Sequence, residues 1–437
     1  MKKVLLLGGS YFQIPSITTA KRLGYYAITC DYAPENPGHK FADEYHNVST
    51  TDKEAVLNLA KKLKVDGIVC YASDPAAPTA AYVAEKMGFP TSPYESVEIL
   101  SNKDKFRKFL AENNFNTPKA AGYHESEFEK MLAEIGQFKF PVMVKPVDSS
   151  GSKGVKKVER AEDLKAAVDG ALIYSRCKRF VVEEFIEKKG YTVGGDGFLL
   201  NGKIKFHIFA NGMREESGIN PYAPTGHIWV CTQPIEIQKK ICTDIQKMFS
   251  VLKMETQAFN IDVVVDKNQK IYVIEIGARN GGNFIPKVIK YATGIDLTEY
   301  TIKAAMGESC ADLKQVEPKG FWANYIVHSP KSGILKDFWI DEDFRKNNIV
   351  ECEFYKKPGD KIPAFIGSNG TLGMMILKFS SQDEMFTTME NMESKVKVIL
   401  QESASERHLD GGGRQYSRLT LEFICCNCAF ETEAVAA

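Results

Sequence analysis

Short apolar runs alternate with amphipathic stretches along the first hundred residues. Residues 4–7 form an unbroken apolar run that ends at Gly8-Gly9, and a helical pattern follows over about 14–23. An apolar run at 27–31, a helical pattern over 53–63, a third run at 67–70 and a helical pattern over 75–87 continue the alternation. Strands covered by helices on both faces have no solvent side, so they read as continuous apolar runs. The alternation therefore predicts a doubly wound α/β domain over residues 1–100. Such sheets bind ligands at the carboxyl ends of their strands, which places Gly8, Gly9, Ser10, Asp31, Ser73 and Asp74 along one edge. Gly8-Gly9 lacks the later glycine of G-x-G-x-x-G, so it is read as a turn or part of a small-substrate edge rather than a dinucleotide fingerprint.

The middle of the chain carries the chemistry. A helical pattern over 103–112 runs into Asn116-Thr117-Pro118, a stop signal. Residues 140–146 form a β-rich run that carries one lysine, Lys145, and a Ser/Gly-rich stretch follows over 148–155. Small residues let backbone N–H groups close around phosphate oxygens, because no bulky side chain holds the ligand away. The stretch is not G-x-x-x-x-G-K-[ST], and read alone it could equally be a hairpin turn. Residues 180–186 are again β-rich, and a strand edge there offers N–H and C=O groups to a planar base.

Two further strands are expected at 258–265 and 270–276, joined by a turn at 266–269. Asp262 lies on one arm and Glu275 on the other, each inside an otherwise apolar strand. A carboxylate there must be paired or metal-bound to be tolerated. Two facing carboxylates are hard oxygen donors suited to Mg²⁺, which usually binds through one or two carboxylates plus phosphates. Arg279 follows four residues after Glu275, within reach of the same anionic centre. The competing reading is a pair of solvent-side acids with Arg279 as their ion-pair partner.

Taken in order, the helix lysine, the strand lysine, the Ser/Gly loop, Val182-Glu183-Glu184-Phe185-Ile186 and Glu275-Ile276-Gly277-Ala278-Arg279 resemble the ATP-grasp superfamily over about residues 1–310, and more loosely to about 400. The resemblance implies an N-terminal doubly wound parallel-sheet domain (1–100), a two-subdomain ATP-grasp fold (101–310, divided near 186) and a small α+β C-terminal cap (311–402). It implies ATP and Mg²⁺ as cofactors, with Mn²⁺ as an alternative. The implied activity joins a small-molecule carboxylate to an amine through an acyl phosphate, in the manner of the biotin carboxylase, carbamoyl phosphate synthetase and phosphoribosylglycinamide-synthetase-like branch. The alternatives are a bicarbonate-phosphorylating enzyme and a nucleotide-binding regulator without turnover. Dimers are common among such proteins.

By the same resemblance Lys103 is the helix lysine on the ATP phosphates, or Lys105 if the alignment slips, and Lys145 is the second phosphate lysine. Ser149, Ser150, Gly151, Ser152 and Gly154 match the loop that closes over the phosphates. Glu183, Glu184, Phe185 and Ile186 match the linker that reads adenine. Asp262 and Glu275 match the metal carboxylates, and Arg279 matches the arginine that steadies the acyl phosphate. The chain departs from the pattern twice. Gly190 stands where a ribose-binding Glu is common, and Gly277 replaces an Asn that serves as a third metal ligand, leaving a water, Asn280 or Asn283 to substitute. Arg214, His207 and His227 are further residues with a substrate or a structural role open to them.

Composition narrows the classes. Fifty-six Lys+Arg balance 56 Asp+Glu, for a formal net charge of zero, so no global basic field gathers nucleic acid. No stretch has the roughly 18 apolar residues of a membrane span. Two lysines before residues 4–7 imitate a signal peptide, but the run ends too early in Gly-Gly. Seven of the ten cysteines are scattered singly, which suits a reducing cytoplasm. Strands are expected at 321–327 and 370–378, a flexible uncharged loop at 367–373 and an amphipathic helix at 382–401. Residues 403–437, with Cys425, Cys426 and Cys428, read as a flexible tail.

Overall fold

The computed structural model describes residues 1–401. Its first sheet is parallel, in the order Glu44–Asn47, Tyr26–Asp31, Lys3–Leu7, Gly67–Cys70. Alternate residues of the central strand feed opposite cores. Leu5 and Leu7 pack with Ile28, Val56 and Val83, whereas Val4 and Leu6 pack with Ile17, Ala20 and Ile302. That two-sided burial is why residues 4–7 read as an unbroken apolar run. The polar edge strand Glu44–Asn47 has no such run and was not expected.

A four-stranded antiparallel sheet follows, ordered Ala120–His124, Arg179–Glu184, Val142–Pro146, Lys156–Val158. Helices Phe128–Glu134 and Leu164–Leu172 contribute Met131, Leu164 and Val168 to the core on one face of it. The largest sheet has eight antiparallel strands. Its order is Ile271–Gly277, Gln257–Val265, Thr192–Leu200, Lys203–Arg214, Pro224–Ile228, Phe321–Val327, Gly373–Phe379, Ile349–Phe354. Helix Ile235–Val251 buries Ile237, Ile241, Ile245 and Met248, a stripe at three- and four-residue spacing that faces the sheet. The last three strands come from beyond residue 311, so the C-terminal segment extends the same sheet.

Among the described residues no helix is long and apolar enough to cross a membrane. None of the seven scattered cysteines is in a disulfide. One expected element is corrected. The helix over 382–401 stops at Met389, and Val396–Leu400 is a strand paired with Gly333–Ile340. Val396 is buried and Lys397 exposed, the beginning of a period-2 alternation that the helical reading overlooked. The expected loop at 367–373 is packed inward at its end, with Leu372 fully buried. The tail and its three cysteines lie outside the described residues.

Candidate functional site

Strands Gln257–Val265 and Ile271–Gly277 form the expected hairpin, and Asp262 pairs directly with Glu275 in its register. Directly opposed residues share a sheet face, so both carboxylates project the same way. The register shifts between Asp262 and Val263, a bulge that lets neighbouring Ile274 and Glu275 both line one cavity. That cavity holds about 300 Å³ and is walled by Lys103, Lys145, the 149–153 loop, residues 183–186, Asp262 and Glu275.

Lys103 opens helix Lys103–Glu112, and its Nζ donates to Ser149 O at 2.7 Å and stands 3.8 Å from Glu275 Oε2. Lys105 instead pairs with Glu98 at 2.8 Å, so the structure puts Lys103 and not Lys105 at the cavity. Lys145 is buried at the end of its strand and donates to Glu183 Oε1. Arg107 Nε donates to the other oxygen of Glu183 at 2.8 Å. Burial alone would raise the Glu183 carboxyl, but Arg107 and Lys145 pull it down to about 2. Burial pushes the Lys145 ammonium below the usual lysine range, with Glu183 opposing the shift.

The expected Ser/Gly loop does not face the cavity uniformly. Residues 149–153 line the cavity, whereas Gly154 is turned onto helix Leu164–Leu172. Its φ is +70°, and a Cβ there would lie 2.9 Å from Tyr174 and 3.2 Å from Ala171, so only glycine fits. Ser152 Oγ donates to Tyr222 O at 2.9 Å, and Asn220 Nδ2 donates to Ser152 O at 2.9 Å and to Ile366 O at 2.8 Å. In the linker, the Glu184 amide donates to Lys119 O and the Phe185 amide to Pro141 O. Glu184 Oε1 accepts from Lys139 N.

A second cavity of about 220 Å³ adjoins the first and shares Ser150, Gly151, Ser152, Thr192, Arg214, Asp262 and Glu275 with it. The far wall includes Phe12, Asp74, His227, Asn260, Arg279 and Ser368. Arg214 reaches Asp262 Oδ2 at 2.9 Å, so it is a half-sequestered partner of a site acid and not an exposed loop charge. Arg279 donates to Asp74 Oδ2 at 2.6 Å, and its buried Nε has no partner among the described residues. Asp74 outweighs burial and keeps the guanidinium firmly protonated. Burial and the Arg214 cation push His227 down to about 4, and its Nδ1 is likewise buried and unpartnered. His207 lies elsewhere, in a groove beside helix Ile235–Val251.

The first-domain edge thus reaches the site through Asp74 and Phe12, as the edge rule anticipated for Asp74 and missed for Phe12. Gly277 gains a physical reason. A Cβ there would sit 2.8 Å from Asp74 Oδ1 and 2.9 Å from Arg279 Cζ, so the pair excludes an Asn side chain. Asn280 does not substitute, because it is buried against Thr301 Oγ1 and Leu297 O, while Asn283 does line the second cavity. Among the described residues no group of three or more His, Cys, Asp or Glu is placed to hold a metal. Two facing acids beside a phosphate-sized loop nonetheless fit Mg²⁺, whose remaining positions go to phosphate oxygens and water.

Comparison with known proteins agrees with this geometry. Residues 107–285 match the family described as D-ala D-ala ligase C-terminus. A formate-dependent phosphoribosylglycinamide formyltransferase from Prochlorococcus marinus is 29% identical over 259 residues, 57% of this chain and 62% of that protein. The chain therefore spans about three-fifths of the length of the curated relatives it matches. The L-amino acid ligase of Bacillus licheniformis superposes with a TM-score of 0.76 at 22% identity, covering 92% of this chain and 99% of that one. The phosphoribosylglycinamide synthetase of Anaerococcus prevotii gives 0.70 at 22% identity, over 92% and 100%. The fold is of the ATP-grasp class.

Proposed function

We propose that the protein is an ATP- and Mg²⁺-dependent ligase that activates a small-molecule carboxylate as an acyl phosphate and couples it to an amine. The observation that carries this reading is the shared wall. Asp262 and Glu275 stand opposite each other where the cavity lined by Lys103 and Lys145 meets the cavity lined by Arg279, whose Nε–H has no partner among the described residues. One side suits a triphosphate and the other a carboxyl group.

A carboxylate approaching a γ-phosphoryl group meets like-charge repulsion. Lys103 and Lys145 neutralise charge on the phosphate side, and Arg279, fixed by Asp74, does so on the acyl side. Mg²⁺ on Asp262 and Glu275 supplies further charge neutralisation and alignment. The acyl phosphate hydrolyses readily, so the 149–154 loop, closed by Asn220 and Tyr222, keeps water out until the amine attacks. The nitrogen–carbonyl bond forms as the acyl–phosphate bond breaks, and phosphate leaves. A cytoplasmic homodimer belongs to this reading, and scattered reduced thiols and the habits of the superfamily support it. Light scattering of the purified protein tests the dimer.

The decisive experiment supplies ATP, Mg²⁺ and a panel of carboxylate and amine pairs. ADP and phosphate are released in step with amide formation. Glu275→Ala abolishes turnover with an unchanged circular dichroism spectrum, and undiminished turnover would refute the metal role.

A further inference from the structure

Lys145 faces a conflict that the proposed reaction must resolve. It lines the nucleotide cavity, yet its ammonium is already bound to the carboxylate of Glu183. Glu183 is 2% exposed, so its charge has no water to fall back on if the lysine turns to a phosphate. A buried carboxylate stripped of its only cation is strongly penalised. The second cation is Arg107, on the third position after Asp104 in helix Lys103–Glu112 and itself 3% exposed. Its Nε takes Glu183 Oε2 at 2.8 Å, and its Nη1 donates to Ile274 O at 2.9 Å, one residue before Glu275. Arg107 therefore ties together the helix bearing Lys103, the strand bearing Glu183 and the strand bearing Glu275.

We infer that Arg107 is a positioning residue that holds Glu183 when Lys145 turns to the triphosphate, so that a buried Arg–Glu–Lys triad sets the nucleotide affinity of the site. The inference rests on the nucleotide reading above. Without Arg107, Lys145 stays locked on Glu183, because only that contact keeps the acid neutralised. Without both Arg107 and Glu183, the lysine is free again. A merely structural arginine makes no such reversal, since removing a second buried partner would add to the damage.

The test is titration calorimetry of a non-hydrolysable ATP analogue with Mg²⁺ against the full chain. Arg107→Met is expected to weaken binding about a hundredfold. Adding Glu183→Gln to that variant is expected to restore binding to within about tenfold of wild type. Wild-type affinity in Arg107→Met, or a double variant as weak as the single one, overturns the inference while leaving the nucleotide reading intact. A wild-type chain that binds no nucleotide overturns both. If Arg107→Met does not fold, Arg107→Lys carries the test. It keeps the charge and is expected to bind within about tenfold of wild type, and a hundredfold loss in the folded Lys variant overturns the inference.

Discussion

The two cavities on either side of Asp262 and Glu275 are built differently. The side proposed for the nucleotide takes Lys103, Lys145, the 149–153 loop and residues 183–186 from one continuous stretch of chain, plus the hairpin. The side proposed for the acyl group draws Phe12 and Asp74 from the first domain, His227 and Arg279 from the large sheet and its following turn, and Ser368 from the C-terminal segment. Local elements of known spacing make the first, and long-range packing makes the second. In the proposed reading, a unit of local elements that can recur from protein to protein grips the nucleotide, while the substrate wall is assembled from whichever segments the rest of the fold brings in.

Substitution at the shared wall should affect both sides most. Glu275→Gln is expected to slow ADP release by about a thousandfold, or ~4 kcal/mol, as for loss of a major charge-stabilising group. Steady-state kinetics over a range of Mg²⁺ checks this, and a small effect would break the idea of a common wall. The next largest effect concerns the acyl side. His227 titrates at about 4 in the fold against 6.5 when free. The unfolded chain therefore binds a proton first as pH falls. Stability from this residue is complete above pH 6.5 and declines toward pH 4, by at most about 3 kcal/mol. Urea midpoints measured across that window should show the slope, and His227→Gln should flatten it.

Asp74→Asn sharpens the contrast between the cavities. It leaves Arg279 without its carboxylate partner, and kcat/KM for the carboxylate substrate is expected to fall about a hundredfold. Affinity for the ATP analogue, measured separately, should hold within about threefold. Equal losses on both sides would show that the first-domain edge is not confined to acyl recognition. The smallest effect is expected at Gly277. Gly277→Ala pushes on the Asp74–Arg279 pair and should cost about tenfold in the same kcat/KM. An unaltered value would mean that the pair has room to shift.

Much of this was legible before the coordinates. The strands at 4–7, 27–31 and 67–70, the hairpin of Asp262 and Glu275, and the strand bearing Lys145 follow from apolar periodicity and from acids inside apolar runs. The resemblance to the family singled out Lys103 and supplied the roles proposed for these residues. Lys105 remained open because two lysines one residue apart on either side of Asp104 look alike in one dimension. The strand Val396–Leu400 was misread because five residues cannot distinguish a strand from the end of a helix. Arg107 was missed altogether, as an arginine in a charged helix reads as solvated until the fold turns it inward.

Local period and solvation, readable along the chain alone, determined most of the backbone elements and which acids stand inside apolar strands. Only the tertiary structure decided that Arg107 holds Glu183, that Gly277 yields its space to Asp74 and Arg279, and that Phe12 and Ser368 wall the second cavity. Each of these depends on side chains far apart in the chain competing for the same few ångströms, and that competition exists only once the sheets and domains have packed.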